Sequence, residues 1–295
     1  MIIITGATGF VGRAVCDALR TKSHRVVTIG RDANSDVQWP ARGDFDADAL
    51  AKLSGARAAV HLAGEPIGAR WTAARKDAIL RSRVDATATL ARALASLSPK
   101  PAAMISASAI GYYGNRGDEW LDESSAAGDD FLSGVVRAWE DATQPAAVAG
   151  LRVVRLRFGL VFGRGGGMLD QVRLPFSLGA GGVLGSGTQW MSWVALDDLV
   201  RVVVRAIDDP QITGAVNVVS PNPVRNAEFT AALGMVLRRP AVIPVPAFAL
   251  RALFGEMADG ALLASQRVRP ARLLASEFAF DHPTVDGALR AALTP

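Results

Sequence analysis

The opening dozen residues constrain this chain more than any other stretch. Ile2-Ile3-Ile4 is an apolar, β-branched run, and such runs favour a buried strand. Thr5-Gly6-Ala7-Thr8-Gly9-Phe10-Val11-Gly12 follows at once, and Arg13 to Arg20 reads as a helix. Strand, glycine-rich turn and helix in that order form the arrangement that holds a dinucleotide pyrophosphate. One glycine turns the chain off the strand, one lets the backbone approach phosphate, and one seats the helix close to the sheet. The free N–H groups of the helix start then face the anion. The plain alternative is a tight strand-to-helix turn with no ligand. Gly6, Thr8, Gly9, Phe10 and Val11 are the first candidate cofactor contacts.

The second strand, Arg25 to Gly30, is closed by Arg31-Asp32. At this point a dinucleotide fold reads the adenosine ribose: an acid accepts from the 2′-hydroxyl of NAD, and an arginine pairs with the 2′-phosphate of NADP. The two neighbours give opposite answers. Arg31 is the first residue past the strand and Asp32 suits a turn, so NADP(H) is the expected cofactor.

Strands and helices alternate after this. Ala58 to Gly64 reads as a buried parallel strand, Trp71 to Leu97 as a long helix, Ala102 to Ser108 as a strand, Phe131 to Ala147 as a helix and Leu151 to Leu156 as a strand. The pattern predicts an α/β fold with a doubly wound, right-handed parallel sheet of the Rossmann kind. Residues 164–187 are rich in glycine and are expected to be loop. A helix is expected from Asp197-Asp198 to Ile207 and a strand from Ala215 to Val219. Residues 221–295 read as mostly helical with proline breaks.

Composition narrows the function classes. With 295 residues, 50% hydrophobic and 20% charged, the chain has the composition of an ordinary globular protein. Its pI is about 9.7, but 32 basic residues against 28 acidic ones are a small excess. They are scattered and have no RNA-binding aromatic signature, so no nucleic-acid partner is expected. The single cysteine, Cys16, excludes an internal disulfide framework and suits a reducing compartment. No stretch resembles a signal peptide or a bilayer span. A cytoplasmic location, no membrane partner and no metal are therefore the expectations. His61 has no Cys or His partners at ligand spacing.

Taken together these motifs resemble a known family, the extended, epimerase/dehydratase type of short-chain dehydrogenase/reductase. Within it they are similar to a small NADP(H)-binding, sugar-nucleotide-epimerase-like branch. The likeness runs nearly end to end. It includes Thr5 to Gly12, His61-Leu62-Ala63-Gly64-Glu65, Arg70-Trp71, Ser82-Arg83, Ser106 to Gly114, Trp139-Glu140 and Gly165-Gly166-Gly167. It continues through Pro175-Phe176, Gly185-Ser186-Gly187, Gln189-Trp190, Asn217, Pro244-Val245-Pro246, Gly255-Glu256 and Pro270.

The resemblance implies an NADP-binding Rossmann domain over residues 1–163, completed by 195–220. It also implies a smaller substrate-binding domain from 164–194 and 221–295. His61, Leu62 and Ala63 would lie along the cofactor, Arg83 would contact it, and Val161 would sit near the nicotinamide. A small-molecule substrate and a monomer or homodimer go with this reading.

The departures from that family concern its chemistry. Its members use a tyrosine with a lysine four residues later; the lysine lowers the phenol pKa so that a proton moves as hydride does. Here the only tyrosines are Tyr112 and Tyr113, and no lysine follows Lys100. Counting back from Glu140, the two positions fall on Leu132 and Val136. The serine that orients substrate falls on Ser108 or Ala109, depending on which tyrosine is aligned. Two readings stay open. In one, an NADP(H)-dependent oxidoreductase or epimerase acts on a small polar, sugar-like substrate through Ser108, Tyr112 and Tyr113. Trp190 and Trp193 then stack on the substrate, or else serve only as core. In the other, the chain is a non-catalytic NADP(H)-binding or redox-sensing module.

Overall fold

The structure, a computed structural model, describes residues 1–41 and 43–294. Seven parallel strands form the central sheet: β1 (Ile2–Thr5), β2 (Val26–Gly30), β3 (Val37–Gln38), β4 (Ala58–His61), β5 (Ala103–Ala109), β7 (Arg152–Phe158) and β11 (Gly214–Val218). Six short strands complete the set: β6 (Trp120–Leu121), β8 (Leu160–Phe162), β9 (Trp190–Met191), β10 (Trp193–Ala195), β12 (Val224–Arg225) and β13 (Arg267–Val268). The helices are α1 (Phe10–Thr21), α2 (Ala47–Leu53), α3 (Ala73–Ser96), α4 (Phe131–Asp141), α5 (Gln144–Val148), α6 (Gly167–Ser177), α7 (Leu196–Asp208), α8 (Asn226–Leu237), α9 (Ala247–Phe254), α10 (Ala271–Ala275) and α11 (Val285–Leu293).

The sheet order is β11-β7-β5-β4-β1-β2-β3. The chain winds outward from β1 in one direction, returns, and winds outward from β4 in the other. The gap beyond the ends of β1 and β4 is the topological switch point where such sheets bind ligands. One face of the sheet packs on α1 and α7 through Ile2, Ile4, Val60, Leu19, Leu199 and Val203. The other packs on α2 and α3 through Ile3, Val27, Ala59, Leu53, Leu90 and Leu94. A separate cluster joins Phe162, Leu169, Phe176 and Trp193 to Phe229 and Leu289 of α8 and α11. Among the described residues, no helix is long and apolar enough to cross a membrane.

Two boundaries differ from the sequence reading. The helix expected over 131–147 breaks after Asp141 and restarts as α5, with Pro145 in its first turn, where a missing N–H costs nothing. The glycine-rich stretch holds an 11-residue helix, α6, which buries Leu169 and Phe176 seven residues apart on one face.

The register of β1 on β4 places Thr5 opposite His61. Thr5 Oγ1 lies 2.7 Å from His61 Nδ1 and accepts from the backbone N–H groups of Leu62 and Ala63 at 3.2 and 3.3 Å. With its lone pairs engaged, the hydroxyl donates its proton to Nδ1, so the imidazole proton belongs on Nε2. That atom is buried with no partner among the described residues. Burial lowers the His61 pKa from 6.5 to about 4. The unfolded chain takes up this proton first, so the contribution is complete above the ordinary value and is lost as pH falls toward the folded one. Urea unfolding is expected to show a loss of about 2 kcal/mol between pH 7 and pH 5 from this residue. His61→Gln should flatten the pH dependence by that amount; an unchanged slope would refute the assignment.

Candidate functional site

The cofactor cleft is shaped by backbone that tolerates no side chains. Gly6 has φ +69°, and a Cβ there would lie 2.7 Å from the Leu62 carbonyl carbon. A Cβ on Gly12 would stand 2.0 Å from the Gly6 oxygen. The first lets the turn leave β1 beneath β4; the second lets α1 sit directly on the turn. Gly9 precedes α1 without a side-chain cap, which leaves the dipole and N–H groups of the helix start facing the cleft. Arg13 steadies the turn, donating to the Thr8 carbonyl at 2.7 Å and to the Gly165 carbonyl at 3.2 Å.

A hollow of about 1190 Å³ opens at this point, walled by Gly6 to Gly9, Gly30-Arg31, Leu62 to Glu65 and Ser82. Arg31 reaches over it with 85% of its side chain exposed, 3.4 Å from Glu65 Oε1. Arg83 of α3 is half-buried beside Gly64. Its guanidinium lies 5.1 Å from the Trp139 ring and donates to the Ile79 carbonyl at 3.2 Å. A Cβ on Gly64 would be 3.4 Å from its central carbon. Burial pushes its pKa down to about 10. A sheltered cation with so few acceptors beside a glycine backbone is suited to an incoming anionic or polar ligand. Phe10 turns away from the cleft and fills the space left open by Gly163, Gly166 and Gly167. Val161 lies in β8, paired with Val194 of β10.

The residues named for proton chemistry lie elsewhere. Glu140 of α4 and Arg157 of β7 form a bidentate pair, Nε to Oε1 at 2.8 Å and Nη2 to Oε2 at 2.9 Å, with exposures of 5% and 4%. Ser108 donates to the same Glu140 at 2.6 Å. Tyr113 is fully buried, donates to Asn217 Oδ1 at 2.7 Å and accepts from Arg157 at 3.0 Å. Burial raises the Tyr113 phenol to about 12, against the pull of Arg157. The structure therefore brings Ser108 and Tyr113 together, but as members of one sealed network. Tyr112 lies under the Arg157 guanidinium at 3.4 Å and lines a different hollow. Leu132 and Val136 are both buried, and a Cβ on Gly111 would meet them at 3.6 and 3.8 Å. Apolar packing occupies the positions where the resemblance calls for tyrosine and lysine.

The two tryptophans do not present free rings. Trp193 has no exposed surface and stacks on Phe162 at 5.3 Å and 4°. It lies in the core, the second of the two roles left open for it, and offers no face to a substrate. Trp190 lies beneath the guanidinium of Arg225 at 4.5 Å and that of Arg267 at 4.2 Å, and its Nε1 donates to Asp118 at 2.7 Å. Arg267 also lies 4.0 Å over Trp120. These cations take the ring faces that a ligand would need. The sequence reading passed over Arg157, Glu65 and Ser82 as site residues. An arginine within the apolar run Leu156-Arg157-Phe158 was the available signal for the first.

Comparison with known proteins agrees with this geometry. Residues 2–219 match the model of the NAD dependent epimerase/dehydratase family, and residues 245–292 match a domain of unknown function designated DUF1731. An epimerase family protein of Mycobacterium bovis is 42% identical over all of this chain and 98% of its own length. The crystal structure of human epimerase family protein SDR39U1 with NADPH superposes with a TM-score of 0.90 at 34% identity, over 98% of this chain and 97% of that one. A nucleoside-diphosphate sugar epimerase from Corynebacterium glutamicum is 39% identical with a TM-score of 0.81, over 99% of this chain and 57% of that one. The glycine turn, the parallel sheet and these matches lead to one conclusion: the chain belongs to the NAD dependent epimerase/dehydratase family.

Proposed function

We propose that the chain is an NADP(H)-binding module in which the family's tyrosine–lysine proton relay has been replaced by packing. The observation that carries this reading is the contact of Leu132 and Val136 with Gly111. Binding is supported by the cradle that side chains at Gly6 and Gly12 would fill. It is supported further by the half-buried, sparsely partnered Arg83 and by the NADPH held by the human relative. Gly6, Thr8, Gly9 and Val11 offer the turn, and Leu62 and Ala63 offer backbone beside Thr5. Phe10 props the helix start from behind, and His61 orients Thr5 from within the sheet. Arg31 grips the 2′-phosphate, and Arg83 and Val161 face the nicotinamide half. A bound NADP(H) would bring a hydride-carrying nicotinamide ring, which in this reading has no proton relay beside it. Residues 164–194 and 221–295 form the lobe facing the Rossmann part.

A second reading keeps an oxidoreductase or epimerase acting on a small polar substrate. It draws on the family itself and on the sugar-nucleotide name of the C. glutamicum relative. In it Tyr112 gives the proton, because the Tyr113 hydroxyl is already committed to Asn217 and Arg157.

Fluorescence titration is expected to give NADPH at least about tenfold tighter binding than NADH, a difference of about 1.4 kcal/mol. Arg31→Ala should erase that preference and leave NADH binding as it was. Equal affinities in the wild-type protein would overturn the NADP(H) assignment. Tyr113→Phe should keep NADPH affinity while lowering stability by about 1–3 kcal/mol, because Asn217 and Arg157 lose a buried partner. With a panel of carbonyl compounds and sugar nucleotides, absorbance of the reduced nicotinamide is expected to stay constant. Turnover that disappears in Tyr112→Phe would establish the second reading instead.

A further inference from the structure

The ion pair between Arg31 and Glu65 spans the cofactor cleft. Arg31 follows β2 and Glu65 lies in the segment after β4, and β1 runs between those two strands in the sheet. The two strands are two sheet spacings apart, about 10 Å. Both side chains line the hollow that Gly6 to Gly9 also wall. The pair therefore reaches across the end of β1, from which the glycine turn departs.

The Glu65 segment is pinned to α3. The Glu65 N–H donates to Ser82 Oγ at 3.2 Å, and Arg75 donates to the Pro66 carbonyl. The carboxylate lies between two guanidinium groups. Its Oε1 is 3.4 Å from Arg31 Nη2, and its Oε2 is 4.0 Å from Arg75 Nη1. Arg83, whose pKa burial lowers, feels the same carboxylate as a raising charge. The Arg31 contact is the loose one. At 3.4 Å it is longer than an ordinary N–H···O bond, and the Arg31 side chain is 85% exposed against 31% for Arg75. An exposed pair of this kind returns little free energy.

A phosphate monoester engages a guanidinium as a carboxylate does, through two oxygens side by side, and carries nearly twice the charge. Two such anions on one guanidinium repel each other. Of the two, the carboxylate has somewhere else to go, because Arg75 and Arg83 remain beside it when Arg31 is taken.

We infer that Glu65 is a specificity-determining residue for the cofactor, acting as a displaceable counter-anion of Arg31. NADP(H) exchanges its 2′-phosphate for the Glu65 carboxylate, which falls back on Arg75. This rests on the NADP(H) reading of Arg31 given above. NAD(H) presents a neutral 2′-hydroxyl at the same point and does not compete for the guanidinium. Glu65 therefore opposes the phosphorylated cofactor selectively, and the chain's preference for it is smaller than Arg31 alone would give.

Fluorescence titration of the full chain with NADPH and NADH tests this in the wild-type protein, Glu65→Gln, Arg31→Ala and the double variant. Glu65→Gln is expected to raise the ratio of NADPH to NADH affinity by about fivefold, the upper end for an exposed ion pair. Glu65→Ala, which removes the carboxylate without supplying an amide, should raise it as well. In the Arg31→Ala background, Glu65→Gln should leave the ratio unmoved, because the pair is already broken. A ratio that stays level or falls in both Glu65 variants, while the wild-type protein still prefers NADPH, would overturn this proposal and leave the cofactor assignment standing. An equal rise in the Arg31→Ala background would also overturn it, since the effect would then be general repulsion. A wild-type protein with no preference would remove the cofactor assignment and this proposal together.

Discussion

The ion pair of Glu140 and Arg157 holds the middle of this molecule together. It fastens α4 to the sheet with two parallel hydrogen bonds away from water, and it gathers Ser108 at the carboxylate and Tyr112 and Tyr113 at the guanidinium. A buried pair of this kind is weak evidence for net stability, since desolvation offsets most of the attraction. Its effect is on geometry. Losing either partner would leave a charge stranded in the core, at a cost of about 3–5 kcal/mol, so α4 is confined to one position on β7. The placement of Leu132 and Val136 over Gly111 follows from that position.

The same pair separates two regions of different character. On one side the glycine turn and the Thr5–His61 bond shape a cleft from backbone. On the other side Tyr112 and the arginines of β7 form a hollow made of charged side chains. Two of the hydroxyls that the sequence offers for proton transfer, those of Ser108 and Tyr113, are consumed in the partition. Tyr113 is held to Asn217 and Arg157, and its elevated pKa reflects a phenol kept neutral by its surroundings. The chain keeps the family's fold, and Leu132 and Val136, which stand where the resemblance calls for tyrosine and lysine, are buried in apolar packing.

What was legible in the sequence was local. The spacing of Gly6, Gly9 and Gly12, the arginine closing β2 and the strand-to-helix alternation all express their meaning within a few residues. They predicted the doubly wound sheet and the location of its cleft. The rest depended on partners distant in the chain. Trp193 is core because Phe162 lies against it, and Trp190 is covered by Arg225 and Arg267. Tyr113 is sealed by Asn217, 104 residues away. Spacing within a motif cannot reveal such neighbours. The α6 helix escaped notice because its flanking glycines, Gly165 and Gly167, adopt positive φ at its start, and their abundance masked the apolar face of Leu169 and Phe176.

Phe10 joins the two halves of the molecule in a way that neither half shows alone. It is the first residue of α1, directly after the phosphate-facing turn, yet its ring rests on Gly166 and Gly167, where α6 begins. The two helix starts share one contact with no slack, since even a methyl group on Gly166 would stand 2.5 Å from that ring. The anion-facing turn and the opening of α6 therefore behave as one mechanical unit. A bulkier residue at Gly163, Gly166 or Gly167 would press on that ring and so act on the nucleotide end of the cleft without touching the nucleotide.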